Sequence, residues 1–320
     1  MNLKILIIRF SSIGDIVLTT PAVRCIKMQI PNVSLHYLTK PQFAAILADN
    51  PYIDKLQVLD KSPLQKGLDL QAEGYDYVID LHHNLRTLIL KKALGVPSFA
   101  FNKLNVEKFL AVNFKRNSLP NIHIVQRYLA AAAPLGVVDD GHGLDYFLSA
   151  SVQTETVINF NVFETPYLAW AVGAQHFTKR LPAKNIIAKI KEQSLKVVLL
   201  GGKEDIATAK EIAAACGEQV IDFCGKISLA QSAWLVKNAA LVQTNDTGLM
   251  HIAAAFHKPI ISYWGNTLPA FGMTPYYGKL AKDEIYPAQL IENKNLSCRP
   301  CSKIGFKACP KGHFKCMDTL

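Results

Sequence analysis

The sequence predicts an α/β protein built from two doubly wound parallel-sheet domains. Three observations carry this reading. Strand-like apolar runs alternate with helix-period segments in both halves of the 320-residue chain. The strand-like runs, such as LKILIIR at 3–9 and KVVLLGG at 196–202, are apolar almost throughout, as in strands buried on both faces. Half of the residues are hydrophobic, enough for two cores, and the pattern loosens between residues 102 and 165 before it resumes.

In order, residues 3–9 read as strand, 14–29 as a helix stopping before Pro31, 33–39 as strand, 41–50 as helix and 55–60 as strand. Residues 75–81 read as strand, 84–95 as a helix with a glycine stop, and 121–136 as a further helix. A boundary near residue 160 gives domains 1–160 and 161–297, followed by a cysteine-rich basic tail, 298–320. The second half begins with strand 167–174, helix 182–193, strand 196–202 and helix 204–217. Helix 228–239, strand 241–244, a helix from Gly248 and strand 258–265 complete it. In such sheets ligands bind beyond the carboxyl ends of the strands.

Lys and Arg outnumber Asp and Glu by 35 to 25, a net charge of +10 that favours an anionic partner. The absence of zinc-finger spacing, and of a basic stripe interleaved with aromatics, speaks against nucleic acid. No run of eighteen apolar residues is present, so no membrane-spanning helix is expected, and the N-terminal apolar run stopping at Arg9 reads as a first strand rather than a signal peptide. Seven cysteines, an odd number with no export signal, argue for a reducing cytoplasm.

Four strand-to-helix turns could carry chemistry. In LVQTNDTGLMHIAAAF, 241–256, an apolar run gives way to Asn245, Asp246 and Thr247 before Gly248 opens a second run containing His251. Unpaired N–H groups at such a helix start attract phosphate, while the plainer reading is an N-cap. In RFSSIGDIV, 9–17, Ser11, Ser12 and Gly14 turn and Asp15 opens a helix; one glycine where a dinucleotide fingerprint needs three counts against a nicotinamide cofactor. In VGAQHFTKRLP, 172–182, Lys179 and Arg180 could clamp a pyrophosphate or form a solvated basic loop. In LLGGKED, 199–205, Glu204 could accept from ribose hydroxyls or simply favour its helix dipole.

Taken together, RFSSIGDIVLTTPAV, FTKRLP, LLGGKED and TNDTGLMHIAAAFHKPIISYWG resemble, in order and over most of the chain, glycosyltransferase family 9, the ADP-heptose:lipopolysaccharide heptosyltransferases. The NDTGLMHIAAA block with SSIGD is the specific part. The resemblance implies the GT-B fold, two Rossmann-like domains facing across a cleft. It implies an inverting transfer of heptose, or a related sugar, from an ADP-sugar to the inner core of lipopolysaccharide. Asp15 matches the general base. Lys179 matches the diphosphate lysine, Glu204 the ribose acid, and Asp246, Thr247, Gly248 and His251 the donor loop. No metal or other cofactor is implied, and the protein is expected in the cytoplasm, with peripheral contact at the inner face of the inner membrane. A sugar-nucleotide 2-epimerase of the same fold, and a degenerate member that only binds lipopolysaccharide precursor or a partner, are the competing readings.

The tail holds Cys298, Cys301, Cys309, His313 and Cys316, which read as a small zinc site, packed free thiols, or a disulfide. Arg299, Lys303, Lys307, Lys311 and Lys315 recur every fourth residue. Gly305, Pro310 and Gly312 break any continuous helix there, so these charges read as a solvated surface or as contacts for phosphorylated lipid.

Overall fold

A computed structural model describes residues 3–116, 118–152, 165–279 and 288–320. The chain divides into two compact units, Met1–Lys103 with Ile122–Phe147, and Leu104–Asn121 with Leu148–Leu320. The expected boundary near residue 160 lies outside the described residues.

The first unit holds strands β1 (Lys4–Ile8), β2 (Ser34–Thr39), β3 (Lys55–Val58), β4 (Tyr77–Asp80) and β5 (Ser98–Ala100) in the order β3-β2-β1-β4-β5. All pairings are parallel, with Ile5 facing both Leu35 and Tyr77. The central strand is covered on both faces: Ile5, Leu6, Ile7 and Ile8 have no exposed surface. Between these strands run α1 (Ile13–Val17), α2 (Thr20–Gln29), α3 (Pro63–Asp69) and α4 (Leu85–Leu94). Asn84 caps α4 by accepting from the Thr87 N–H, and Gly95 ends it at φ +78°.

The single helix expected over 14–29 is two. Pro21 has no N–H to offer the Val17 carbonyl, and the Thr20 hydroxyl takes that acceptor at 2.8 Å. Thr19 Oγ1 likewise donates to the Ile16 carbonyl at 2.7 Å, so α1 closes and α2 restarts. The helix expected over 41–50 is only a 3-10 turn, Pro41–Ile46. A buried guanidinium closes the unit: Arg24 on α2 binds the Asp140 and Asp145 carboxylates and the Gly143 carbonyl.

Helices α5 (Asn105–Phe114) and α6 (Ile124–Ala132) follow, the first in the second unit and the second in the first. The second unit then supplies β6 (Tyr167–Ala171), α7 (Ala183–Lys191), β7 (Lys196–Leu200), α8 (Ile206–Cys216) and β8 (Val220–Asp222). It continues with α9 (Leu229–Asn238), β9 (Leu241–Asn245), α10 (Gly248–Ala255), β10 (Ile260–Trp264), β11 (Ala288–Glu292) and α11 (Lys315–Asp318). The strand order is β11-β10-β9-β6-β7-β8, again all parallel. Its core contains Trp170, Leu199, Tyr263 and, from the tail, Cys316 and Met317.

Both sheets share one logic. Strand order reverses beside β1 in the first and beside β6 in the second, and at such a switch point the loops leaving neighbouring strands diverge and open a crevice. The loops after β1 and β4, and after β6 and β9, therefore mark where each unit can hold a ligand. The loop after β1 leads into α1 and its Asp15, and the loops after β6 and β9 carry Lys179 and Asp246.

Candidate active site

In the first unit Asp15 is the third residue of α1, directly after β1, and its side chain is 22 % exposed. Its Oδ2 accepts from the Ser12 N–H at 3.2 Å and the Ser12 hydroxyl at 2.8 Å, and its Oδ1 lies 2.7 Å from Arg9 Nη2. Arg9 is itself buried and donates to the carbonyls of Ser11 and Leu81, which ties the end of β1 to the end of β4. Burial opposes the Arg9 charge, but the Asp15 carboxylate beside it outweighs that and holds the guanidinium above its ordinary pKa. Ser12 thus orients the acid, Gly14 is buried under the turn, and Ser11 serves through its carbonyl.

His82, just past β4, packs at a tilt against Phe10 with ring centroids 5.0 Å apart, and its Nδ1 has no hydrogen-bond partner among the described residues. Burial, then the charges of Arg9 and Lys103, push the His82 pKa down from 6.5 to about 4. Between those values the unfolded chain binds more protons than the folded one. Stability conferred by the neutral ring is therefore complete above pH 6.5 and lost as pH falls towards 4. The unfolding free energy from urea titrations should decline by up to about 3 kcal/mol across that window. His82→Gln should flatten it; an unchanged slope in that variant assigns the loss to other groups.

In the second unit the polar interruption 244–248 separates into distinct tasks. Asn245 is fully buried; its Oδ1 accepts from the Leu181 N–H, and its Nδ2 donates to the carbonyls of Val172 and Gly173. It staples the end of β9 to the loop after β6. That brings Lys179, on a 3-10 turn at Phe177–Lys179, to Asp246, with Nζ 2.6 Å from Oδ2. Thr267, past β10, donates its hydroxyl to the same Asp246 oxygen at 3.0 Å. Thr247 occupies the N-cap of α10 in extended backbone, yet its side chain makes no capping bond. Thr247 thus does not cap the helix with its side chain, and Gly248 begins the helix without a side chain to cover its N–H groups. His251 is buried within α10.

Glu204 is exposed on the 3-10 turn Lys203–Asp205, and its neighbour Asp205 is the buried acid. Asp205 accepts from the Gly202 N–H at 2.9 Å and lies 3.3 Å from Arg180 Nη1, while burial pushes its carboxyl pKa up. A Cβ at Gly173 would sit 2.0 Å from Asp205 Oδ2, so the glycine is what lets this acid fill the turn. Arg180 is thus committed to Asp205 and the Ala174 carbonyl, whereas Lys179 serves Asp246.

Sequence reasoning passed over Asn245 as scaffold, Asp205 as the buried acid, and Thr267 and Asn266 beyond β10. Asn266 is 1 % exposed, with neither its amide nitrogen nor its oxygen partnered among the described residues, a costly state that a bound polar group would relieve. The signal available was GNT directly after a buried strand, at the same carboxyl edge as NDTG.

Among the described residues no group of three or more His, Cys, Asp or Glu side chains could hold a metal ion. Cys298, Cys301, Cys309 and Cys316 are free thiols, with Cys298 Sγ 3.8 Å from His313 Nε2, and burial pushes the Cys316 thiol up to about 11. Arg299 is not a surface charge: it is buried and binds the carbonyls of Trp264, Gly265, Thr267 and Asn293 and the Glu292 carboxylate. No helix among the described residues is long and apolar enough to cross a membrane.

The sequence model of glycosyltransferase family 9 (heptosyltransferase) matches residues 64–301. Lipooligosaccharide heptosyltransferase 2 of Haemophilus influenzae is 28 % identical, the match covering 95 % of this chain and 93 % of that one. Lipopolysaccharide heptosyltransferase 1 of Campylobacter coli is 27 % identical over 88 % of each chain. Among solved structures, a family 9 glycosyl transferase from Veillonella parvula superposes with a TM-score of 0.78 at 22 % identity, covering 100 % of this chain and 94 % of that one. The E. coli ADP-heptose heptosyltransferase II does so at 0.71 and 21 %, covering 99 % and 98 %. These structural likenesses establish the fold, two Rossmann-like parallel-sheet domains of GT-B type.

Proposed function

The chain belongs to glycosyltransferase family 9 and is a glycosyltransferase, and from that premise we propose that it moves a heptose from an ADP-linked donor to the inner core of lipopolysaccharide, inverting the anomeric carbon. The observation that carries the reading is the Lys179–Asp246 pair beside the uncapped start of α10, at the switch point of the second sheet. An ammonium group and free backbone N–H groups stabilise negative charge, and the departing diphosphate is where charge develops. Asp246, Thr247 and Gly248 form the donor loop, with Thr267 and Asn245 holding it and His251 packed behind it. Glu204 serves the ribose, with Asp205 setting its turn. These groups take the charge-stabilising role that a divalent metal plays elsewhere, so the reaction runs without one.

In the transfer step an acceptor hydroxyl oxygen bonds to the anomeric carbon from the face opposite the diphosphate. The carbon–oxygen bond to the diphosphate breaks, ADP carries away the electron pair, and the hydroxyl proton passes to Asp15. Ser12 and Arg9 hold that carboxylate in one orientation. The enzyme works in the cytoplasm, at the inner face of the inner membrane.

The test has two parts. Incubation with a panel of sugar nucleotides and extracted core lipid should give a product heavier by one heptose with ADP-heptose alone. Release of free nucleotide and an altered sugar without acceptor would mark a 2-epimerase instead. Lys179→Met should weaken ADP binding by calorimetry about 10- to 100-fold, the worth of one charge-assisted contact. Unchanged affinity would remove Lys179 from the diphosphate role.

A further inference from the structure

Helix α5 lies on the second unit by one face only. Ala111 is 2 % exposed, Lys108 Nζ sits 5.9 Å over the Phe271 ring, and Lys115 Nζ donates to the Pro300 carbonyl at 2.6 Å. Leu104, just before the helix, is buried with them. The opposite face carries Val106, Phe109, Leu110 and Phe114, spaced i, i+3, i+4 and i+8. Val106 is 69 % exposed, Phe109 57 % and Phe114 67 %, and the two rings touch with centroids 6.0 Å apart. Single exposed apolar residues are ordinary, but a contiguous aromatic and aliphatic stripe on one helix marks a surface that something covers.

The surrounding charge says what covers it. Lys108 and Lys115 are held on the packed face by Phe271 and the Pro300 carbonyl, whereas Arg116, just past the helix, is exposed, and Glu107 is the one acid between residues 105 and 116. The Lys115–Pro300 bond ties the end of α5 to the tail, where exposed Ile304 and Phe306 lie between exposed Lys303 and Lys307. A protein partner of the same chain would bring the same positive charge and repel. An anionic bilayer supplies phosphate for the cations and hydrocarbon for the rings.

We infer that α5 is an interfacial helix that seats the second unit on an anionic lipid surface, with Val106, Phe109 and Phe114 entering the headgroup boundary and Arg116 and the tail lysines meeting lipid phosphate. The inference rests on the membrane-surface part of the functional reading and is independent of which sugar or acceptor is used. It also gives the tail's basic residues a task that the donor site does not require.

The test is co-sedimentation of the full chain with vesicles of phosphatidylcholine alone and of equal parts phosphatidylcholine and phosphatidylglycerol. Wild type should bind the mixed vesicles and bind the neutral ones at least about tenfold more weakly, the gap closing in high salt. Phe109→Ser with Phe114→Ser should lower binding to mixed vesicles about tenfold or more. Arg116→Glu should weaken binding to mixed vesicles and leave neutral vesicles unaffected. Both sites are exposed, so melting curves should match wild type, and sugar transfer to a delipidated, water-soluble acceptor should be retained. Mixed-vesicle binding unchanged in the double serine variant would overturn the inference. So would a wild-type dimer by light scattering that the same variant dissociates, since a second copy would then be the occupant. Failure of sugar transfer with vesicle binding intact would count against the catalytic reading alone.

Discussion

Asp15→Asn is expected to lower turnover by about 10²- to 10⁴-fold, the range for removing a general base, while ADP affinity stays within about threefold of wild type. The two readouts separate because Asp15 belongs to the first unit, whereas Lys179, Asp246 and α10 belong to the second. The substitution is nearly isosteric. An asparagine oxygen can still accept from Ser12, but Arg9 loses its charged partner, so a modest fall in melting temperature should accompany the loss. Steady-state kinetics and calorimetry on the same preparation decide the matter. If turnover survives, the proton goes elsewhere and Asp15 is only a cap for α1. A control at Ser12 sharpens this. Ser12→Ala removes one bond to the acid and leaves the carboxylate, so it should cost far less than Asp15→Asn.

Arg299→Ala should destabilise the second unit by about 3–5 kcal/mol, because it strands four carbonyls and the Glu292 carboxylate that one guanidinium now satisfies. A chain of this size should then melt lower by roughly 10 °C. Arg299→Lys should recover little, since a single ammonium cannot span acceptors on both sides of a planar fork. Donor binding should weaken as well: Arg299 holds the Thr267 carbonyl, and the Thr267 hydroxyl holds Asp246. A variant that melts like wild type would show that the tail is not fastened to the sheet in this way.

The strands were the most legible part of the sequence because their burial on both faces writes a continuous apolar run. β1, β2, β6, β7 and β10 fall within the segments read for them. The elements that escaped are short or peripheral. β5 and β8 have three residues each, and β11 is an edge strand whose short apolar run is broken by Gln289 and Glu292. α3 announces itself only through Ser62, which accepts from the Gln65 N–H, and Pro63. The split between α1 and α2 was readable in principle, since Thr19, Thr20 and Pro21 together offer hydroxyl donors and remove a backbone one.

The candidate site divides along the same line. Asp15, Lys179, Asp246, Thr247 and Gly248 were visible because each stands where an apolar strand stops and a polar turn begins. Asp205 and Glu204 are adjacent and both acidic, and only the turn's geometry, with Gly173 and Gly201 leaving room, buries the second of them. Arg299 looked like one cation in a basic series because nothing local distinguishes it from Lys303 or Lys307.

The sequence by itself determined the alternation of strands and helices, the parallel order that places function at strand ends, and the chemical types gathered there. Those properties depend on neighbours within a few residues, through apolar periodicity and turn chemistry. Tertiary structure alone decided which charges meet: Lys179 with Asp246, Arg180 with Asp205, Arg9 with Asp15, and Arg299 with the loop after β10. A charged side chain carries no local mark of its partner. That choice is made only when folding removes water from both groups and leaves each with the opposite charges and carbonyls then within reach.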